Sequence, residues 1–262
     1  MCAARIYNAA MAPTRVAIID DYHRAFCDAE PVRRLREAAD VVIYEEAFAS
    51  ESALVAAVED VPIIISNRER TAFTAVLLEQ LPALRLISQT GTHFYHVDVE
   101  AATRRGVLLA NAPGGSSPSV AELTIALMID LVRRIPATDA AMHRGEWPME
   151  LFGSVNGKVL GILGMGKIGN RVANAARALE MEIVAWGPTL TDERAAISGV
   201  RRMELDDLMR TADLVSVHLT LSDLSRGIVS RDRIALMKPT AFLINTARAA
   251  ITDEPALIEA LQ

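Results

Sequence analysis

Apolar positions along the chain follow two alternating rhythms. Short β-branched runs occur at Arg15 to Asp20, Val41 to Tyr44, Pro62 to Ser66, Leu84 to Ser88 and Val107 to Asn111, and the longer segments between them carry apolar residues at helical spacing. Strands that are apolar on both faces must be covered on both faces, and helical crossovers make such strands parallel. The same grammar recurs at Lys158 to Leu163, Glu182 to Trp186, Val200 to Met203, Asp213 to Leu219 and Thr240 to Asn245. The expected fold is therefore α/β: two Rossmann-like domains, each a parallel sheet flanked by helices, with a cleft between them.

The two series are separated by Asn111-Ala112-Pro113-Gly114-Gly115-Ser116-Ser117-Pro118, whose Gly, Ser and Pro content marks a turn or hinge. This places the first domain at residues 1–112 and the second at 113–262. Pro118 in a first helical turn, and Ser119 three residues before Glu122 as a capping box, open a long apolar helix to about Arg133. That helix is expected to bridge the domains or to pack a subunit interface. Met1 to Pro13, with one Arg, no acid and no continuous apolar run, reads as a ragged extension.

Composition narrows the class. Of 262 residues, 51% are hydrophobic and 23% charged, a globular balance. Twenty-seven basic against 33 acidic side chains give a net charge of -6, which provides no footprint for nucleic acid. The richest apolar helix, Leu123 to Val132, already contains Asp130, so no membrane span is expected. The two cysteines, Cys2 and Cys27, fit neither a disulfide framework nor a metal site and suit a reducing cytoplasm.

The chemistry begins at Lys158 to Leu163, which runs into Gly164-Met165-Gly166-Lys167-Ile168-Gly169 and then into a helical pattern from Asn170 to Leu179. This is G-x-G-x-x-G in the strand-turn-helix setting that a dinucleotide requires. Gly164 permits the tight turn, Gly166 lets backbone approach a pyrophosphate, and Gly169 lets the helix pack closely on the strand. The helix N-terminus adds amide donors and a positive dipole.

About 18 residues beyond Gly169, where a carboxylate would bind the adenosine ribose of NAD, the chain reads Ala185-Trp186-Gly187-Pro188-Thr189. With no acid there, NAD and NADP both remain open, and Thr189, Thr191 and Arg194 are candidate acceptors of a 2′-phosphate. Later strands end in His218-Leu219-Thr220 and Asn245-Thr246-Ala247-Arg248-Ala249. In a doubly wound sheet those ends form the ligand crevice, where the planar guanidinium of Arg248 can bind the carboxylate of a 2-oxo acid and polarise its carbonyl.

Taken with Ile63 to Thr71, Leu84 to Val99, Asn111 to Arg134 with its Ser119-Val120-Ala121-Glu122, and Met237-Lys238-Pro239 through Leu257, these motifs resemble the D-isomer-specific 2-hydroxyacid dehydrogenases in order and over nearly the whole chain. The resemblance implies a flavodoxin-like substrate domain followed by a dinucleotide-binding Rossmann domain. It implies that Arg248 is the catalytic arginine and that Gly164, Met165, Gly166, Lys167, Ile168 and Gly169 hold the pyrophosphate. Val120, Gly187, Pro188, His218, Leu219, Thr220, Ser225, Thr246 and Ala247 are its further cofactor contacts. Arg68 matches a substrate-domain arginine near the pocket mouth, and Thr90, Gly91, Thr92 and His93 form the loop that cradles the substrate carboxylate. A homodimer is the expected assembly, since members of the family commonly pair through the cofactor domain.

Three departures from the family pattern stand out. Gly187 replaces the usual acid. In Gly91-Thr92-His93-Phe94-Tyr95-His96-Val97-Asp98, His93 replaces a glycine and Tyr95 an acid; the imidazole either narrows the substrate loop, adds a proton donor there, or is an ordinary outward-facing loop histidine. The sequence also ends at Gln262, short of the segment where the family carries the glutamate and histidine that supply the proton, so the second domain is expected to be incomplete at its C-terminal end.

The function expected from these residues is hydride transfer between NAD or NADP and a small-molecule 2-oxo acid/D-2-hydroxy acid pair. Two alternatives come from other classes: a dinucleotide-sensing interaction protein on the same fold, and a catalytically dead, truncated chain.

Overall fold

The computed structural model describes residues 13–112 and 115–262. The ragged extension before Pro13, Cys2 within it, and the Pro113-Gly114 step of the hinge lie outside the described residues. The chain divides into two compact units, Met1–Gly115 and Ser116–Gln262.

The first unit runs β1 (Thr14–Ile19), α1 (Glu30–Arg36), β2 (Ala39–Ile43), α2 (Glu51–Val58), β3 (Ile63–Ser66), α3 (Ala75–Glu79), β4 (Leu86–Gln89), α4 (Val99–Arg104) and β5 (Leu108–Asn111). All five strands are parallel, in the order β2-β1-β3-β4-β5. Ser50, Thr74 and Asp98 cap α2, α3 and α4 by accepting the amides of Ala53, Leu77 and Ala101. The core joins Ile19, Ile64 and Ile87 of the sheet to Leu54, Leu77, Leu78 and Ala102 of the helices. The first strand starts and ends one residue earlier than the apolar run Arg15 to Asp20 suggests. Asp20 leaves the extended conformation with φ +64° and is buried.

The second unit runs α5 (Ser117–Arg133), α6 (Ile135–His143), β6 (Val159–Leu163), α7 (Lys167–Ala178), β7 (Glu182–Trp186), α8 (Asp192–Ile197), β8 (Arg201–Arg202), α9 (Leu205–Thr211), β9 (Leu214–Val217), α10 (Arg231–Leu236), β10 (Phe242–Asn245), a 3-10 turn at Ala249–Ile251, and α11 (Glu254–Ala260). Its parallel sheet has the order β10-β9-β6-β7-β8. The chain thus passes from β6 outward on one side, through β7 and β8, and then crosses to the other, through β9 and β10. Ligands of open α/β sheets bind at the carboxyl ends of strands where the order reverses in this way.

The long helix α5 belongs to this unit. Ala121, Met128 and Val132 join Leu160, Ile162, Val172 and Ala176 in one core cluster. The expected capping box is not formed. The helix begins at Ser117 with Pro118 in its first turn, Ser116 is the cap residue, and no side chain caps the end. Ser119 is already inside the helix, where its amide is no longer at the boundary that a capping box closes.

Candidate functional site

In the second unit the site is built around one short turn at the carboxyl end of β6. Gly164 has φ +105°, and a Cβ there would lie 2.8 Å from the His218 carbonyl oxygen and 3.0 Å from the Leu219 amide nitrogen. Only glycine accommodates both the dihedral and the neighbour. A Cβ on Gly169 would fall 2.1 Å from the Gly164 carbonyl oxygen, so the first turn of α7 sits directly against the end of the strand.

Gly166 differs from both. It caps α7 in an extended conformation, is exposed, and a Cβ there would meet nothing within 4 Å. The protein itself does not require glycine at this position. A ligand that must approach the backbone does, and the first-turn amides of α7 face the same space.

The neighbouring strand ends complete the edge. Gly164 donates its amide to Trp186 O (2.8 Å) and His218 donates its amide to Leu163 O (2.7 Å), so the ends of β7 and β9 are tied to the turn. A Cβ on Gly187 would lie 3.9 Å from the Gly164 Cα, with ordinary space around it. After it, Arg194 Nη1 donates to Thr189 O (2.6 Å) and contacts Thr189 Oγ1 (3.3 Å), while Thr191 caps α8 by accepting the Arg194 amide. Thr189, Thr191 and Arg194 therefore share one corner; Pro188 is exposed beside them.

His218 Nε2 lies 2.9 Å from Ser216 Oγ, and its buried Nδ1 has no hydrogen-bond partner among the described residues. Burial lowers its pKa from 6.5 to about 4, so the imidazole is neutral at pH 7. An orphaned polar atom next to the glycine turn, and open room above Gly166, fit a polar ligand lying along this edge. The side chains of Met165 and Leu219 are buried in the core and Ile168 packs against it; Lys167 and Thr220 are exposed.

Thr246, just past β10, lies 3.1 Å from Thr124 Oγ1 on α5, and Thr124 in turn donates to Val120 O (2.8 Å). These contacts bring Val120, Thr124 and Thr246 into one cluster. Asn245 then shapes the loop that carries Arg248. Its Oδ1 accepts the Ala247 amide (3.0 Å), and its Nδ2 donates to Arg248 O (3.0 Å) and to Thr252 Oγ1 (3.2 Å). Arg248 is exposed and lines a cavity of about 350 Å³ with Leu243, Asn245, Ala247 and Thr252. Ser225 serves the fold: it is buried, donates to Thr220 O (2.7 Å) and accepts the Ser222 amide (2.8 Å).

The first unit carries a second set of expected residues at the carboxyl ends of β3 and β4. The Arg68 amide donates to Thr90 Oγ1 (3.1 Å), Gly91 O accepts the Ala112 amide (3.1 Å), and Thr92 O accepts from Asn111 Nδ2 (3.1 Å). His93 stacks on Tyr95 with ring centroids 5.8 Å apart. Burial holds the His96 pKa below its ordinary value, against the opposing pull of Glu69 and Asp20. The structure thus groups Arg68, Thr90, Gly91, Thr92 and His93 on one edge. It adds residues that the motif reading passed over: Asp20, Asn67 and Gln89 here, and Thr124 and Asn245 in the second unit. Their signal was a polar residue at a strand end or on a buried helix face.

A five-stranded parallel sheet with a glycine turn at its reversal point defines a dinucleotide-binding α/β unit. Residues 125–262 match the family described as D-isomer specific 2-hydroxyacid dehydrogenase, NAD binding domain. The chain is 38% identical over 212 residues to the D-3-phosphoglycerate dehydrogenase of Methanocaldococcus jannaschii, covering 80% of this chain and 40% of that protein. It is 40% identical over 195 residues to the glyoxylate reductase of Aeropyrum pernix, covering 71% and 58%. The crystal structure of a phosphoglycerate oxidoreductase from Vibrio cholerae superposes with a TM-score of 0.85 at 32% identity, covering 95% of this chain and 80% of that one. The chain belongs to the D-isomer-specific 2-hydroxyacid dehydrogenase family. It spans about half the length of the curated relatives it matches.

Proposed function

We propose that this chain binds NAD or NADP along Gly164 to Gly169 and takes part in reversible hydride transfer between that cofactor and a 2-oxo acid/D-2-hydroxy acid pair. The observation that carries the proposal is the contrast within the glycine turn. Gly164 and Gly169 are required by the fold, whereas Gly166 opens onto empty space beside a helix N-terminus. Bound, the nicotinamide gives or takes the hydride. The residues of the chain bind, orient and polarise: the α7 amides take the pyrophosphate, Arg248 stabilises the oxygen that gains charge, and Arg68 with the 90–93 loop receives the substrate carboxylate.

In this proposal neither dinucleotide is strongly excluded. Gly187 presents no carboxylate to a 2′-phosphate, and Thr189, Thr191 and Arg194 gather where that phosphate would fall. Phosphorylated and unphosphorylated 2-oxo acids are both candidates, since the relatives include a phosphoglycerate dehydrogenase and a glyoxylate reductase.

A homodimer formed by the second unit belongs to the same proposal. Leu123 and Leu131 of α5 and Trp147, Met149 and Leu151 after α6 are exposed large apolar side chains, an arrangement that a second copy would cover. Among the described residues no helix is long and apolar enough to cross a membrane. A cytoplasmic location agrees with the free thiol of Cys27.

Titration with NADH and NADPH, followed by fluorescence, tests the cofactor site, and steady-state oxidation of either with glyoxylate or hydroxypyruvate tests the reaction. Absence of binding of both dinucleotides to the folded protein would refute the proposal.

A further inference from the structure

Asp20 is a buried acid at the end of β1, 2% exposed, held at φ +64°. A non-glycine residue in that conformation is uncommon, and it persists where the surroundings over-determine it. Four side chains do so here. Its carboxylate accepts Thr71 Oγ1 (2.8 Å) on one oxygen and the Tyr22 hydroxyl (3.0 Å) on the other. Its main-chain carbonyl accepts Asn67 Nδ2 (3.0 Å) and the Arg70 guanidinium. Three of the four donors, Asn67, Arg70 and Thr71, come from the single loop that follows β3.

That loop carries Arg68, itself at φ +62° and exposed. Its backbone is gripped from the neighbouring strand: the Arg68 amide donates to Thr90 Oγ1 (3.1 Å), and its carbonyl accepts Gln89 Nε2 (2.7 Å). Thr90 Oγ1 also donates to Asn67 Oδ1 (3.2 Å), which closes a network from Asp20 through Asn67 and Thr90 back to Arg68. Arg70 lies over the Tyr22 ring, 4.1 Å from its centroid, so the same two elements also meet face to face.

We infer that Asp20 is a positioning residue for Arg68. Through its carboxylate and carbonyl it fixes the backbone of residues 67–71, and so sets the point and direction from which the Arg68 side chain reaches for the carboxylate of a 2-oxo acid. The substrate part of this inference rests on the function proposed above. The loop part does not. A side chain that is held within a narrow range of positions binds more tightly than one that must be ordered on binding.

Backbone amide hydrogen exchange on the whole chain reads the loop directly, and oxalate, a planar mimic of the 2-oxo acid head, reads binding. Asp20→Asn keeps the volume and tolerates positive φ, but offers one acceptor oxygen where the carboxylate offers two. The Arg68 amide is expected to exchange about tenfold faster in Asp20→Asn and in Thr71→Val, the loss of one net hydrogen bond. Amides of Val16, Ile64 and Ile87 are expected to keep their protection, and Thr71→Ser to restore that of Arg68. Oxalate affinity is expected to fall by a similar factor in both weakened variants, and further in Arg68→Gln. An unchanged Arg68 amide in Asp20→Asn, or a loss spread evenly over the sheet, would overturn the positioning role. Loosened exchange with oxalate binding indifferent to Arg68→Gln would leave that role standing and remove the substrate reading of Arg68.

Discussion

Gly187 and Gly164 face each other across the ends of two paired strands: a Cβ on Gly187 would stand 3.9 Å from the Gly164 Cα, and its nearest other neighbour, Leu190 Cβ, would be 3.6 Å away. Both are ordinary contacts, so the missing carboxylate is not excluded by packing. Gly187→Asp is expected to fold normally and to lower NADPH affinity relative to NADH by at least about tenfold, because juxtaposed like charges cost more than 1.4 kcal/mol. The ratio of the two dissociation constants, before and after the change, decides it. The unsubstituted chain is expected to discriminate by less than about a hundredfold, or roughly 2.7 kcal/mol.

The glycines of the turn should separate cleanly on substitution. Gly169→Ala places a methyl 2.1 Å from a backbone carbonyl that cannot swing aside. A loss of about 2–3 kcal/mol is expected, visible in denaturant melts. Gly166→Val meets open space in an extended conformation. It should leave the melt within about 1 kcal/mol while reducing affinity for both dinucleotides at least about tenfold. Equal affinities in Gly166→Val and the parent would disprove the site.

His218 gives the second unit a pH dependence of definite sign. Its folded pKa of about 4 lies below the ordinary 6.5. Above pH 6.5 both states are neutral and the fold keeps its full stability. As pH falls from 6.5 towards 4 the unfolded chain takes up a proton that the folded chain refuses, and stability drops by about 3 kcal/mol in all. His96, also lowered by burial, adds a slope of the same sign in the first unit. Unfolding free energies between pH 4 and 7 should therefore show a flatter profile in His218→Gln than in the parent, with the His96 part remaining.

The apolar side chains on the outer surface of α5 and after α6 set a test of assembly. Trp147 and Leu151 are 74% and 100% exposed, far more than large apolar groups need be. Light scattering is expected to give a dimer for the parent and a monomer for Trp147→Ala combined with Leu151→Asp. A parent that remains monomeric at about 100 µM, which leaves less than about 5.5 kcal/mol of association free energy, would exclude this surface as a stable interface.

The ten strand runs and the position of the glycine turn were legible because each rests on local pattern: an apolar run, a change of period, a glycine at a fixed offset, whereas α6 (Ile135–His143) follows α5 without a strand between them and was not read. The end of β1 was not, because Asp20 leaves the strand under the pull of Asn67, Arg70 and Thr71, which are about 50 residues away in sequence. Ser119 and Glu122 have the spacing of a capping box, yet Pro118 and the preceding serines let α5 begin earlier. The Asn245 staple was likewise hidden, since an asparagine at a strand end looks the same whether it faces water or folds back on its own loop.

The central place of β6 has a kinetic consequence. It pairs with β7, which follows after one helix, but also with β9, and the carboxylate of Asp213, the residue just before β9, accepts the Val159 amide across 54 residues of chain (2.8 Å). The local hairpin-like route to a sheet is closed to parallel strands, so the loop entropy of that long closure must be met before its contacts return anything. Refolding of the second unit is expected to take milliseconds to seconds, with docking of β9 on β6 late in the barrier. Asp213→Asn would then act mainly by speeding unfolding if that contact forms after the barrier, and by slowing refolding if it forms before, a distinction that the two arms of a chevron plot resolve.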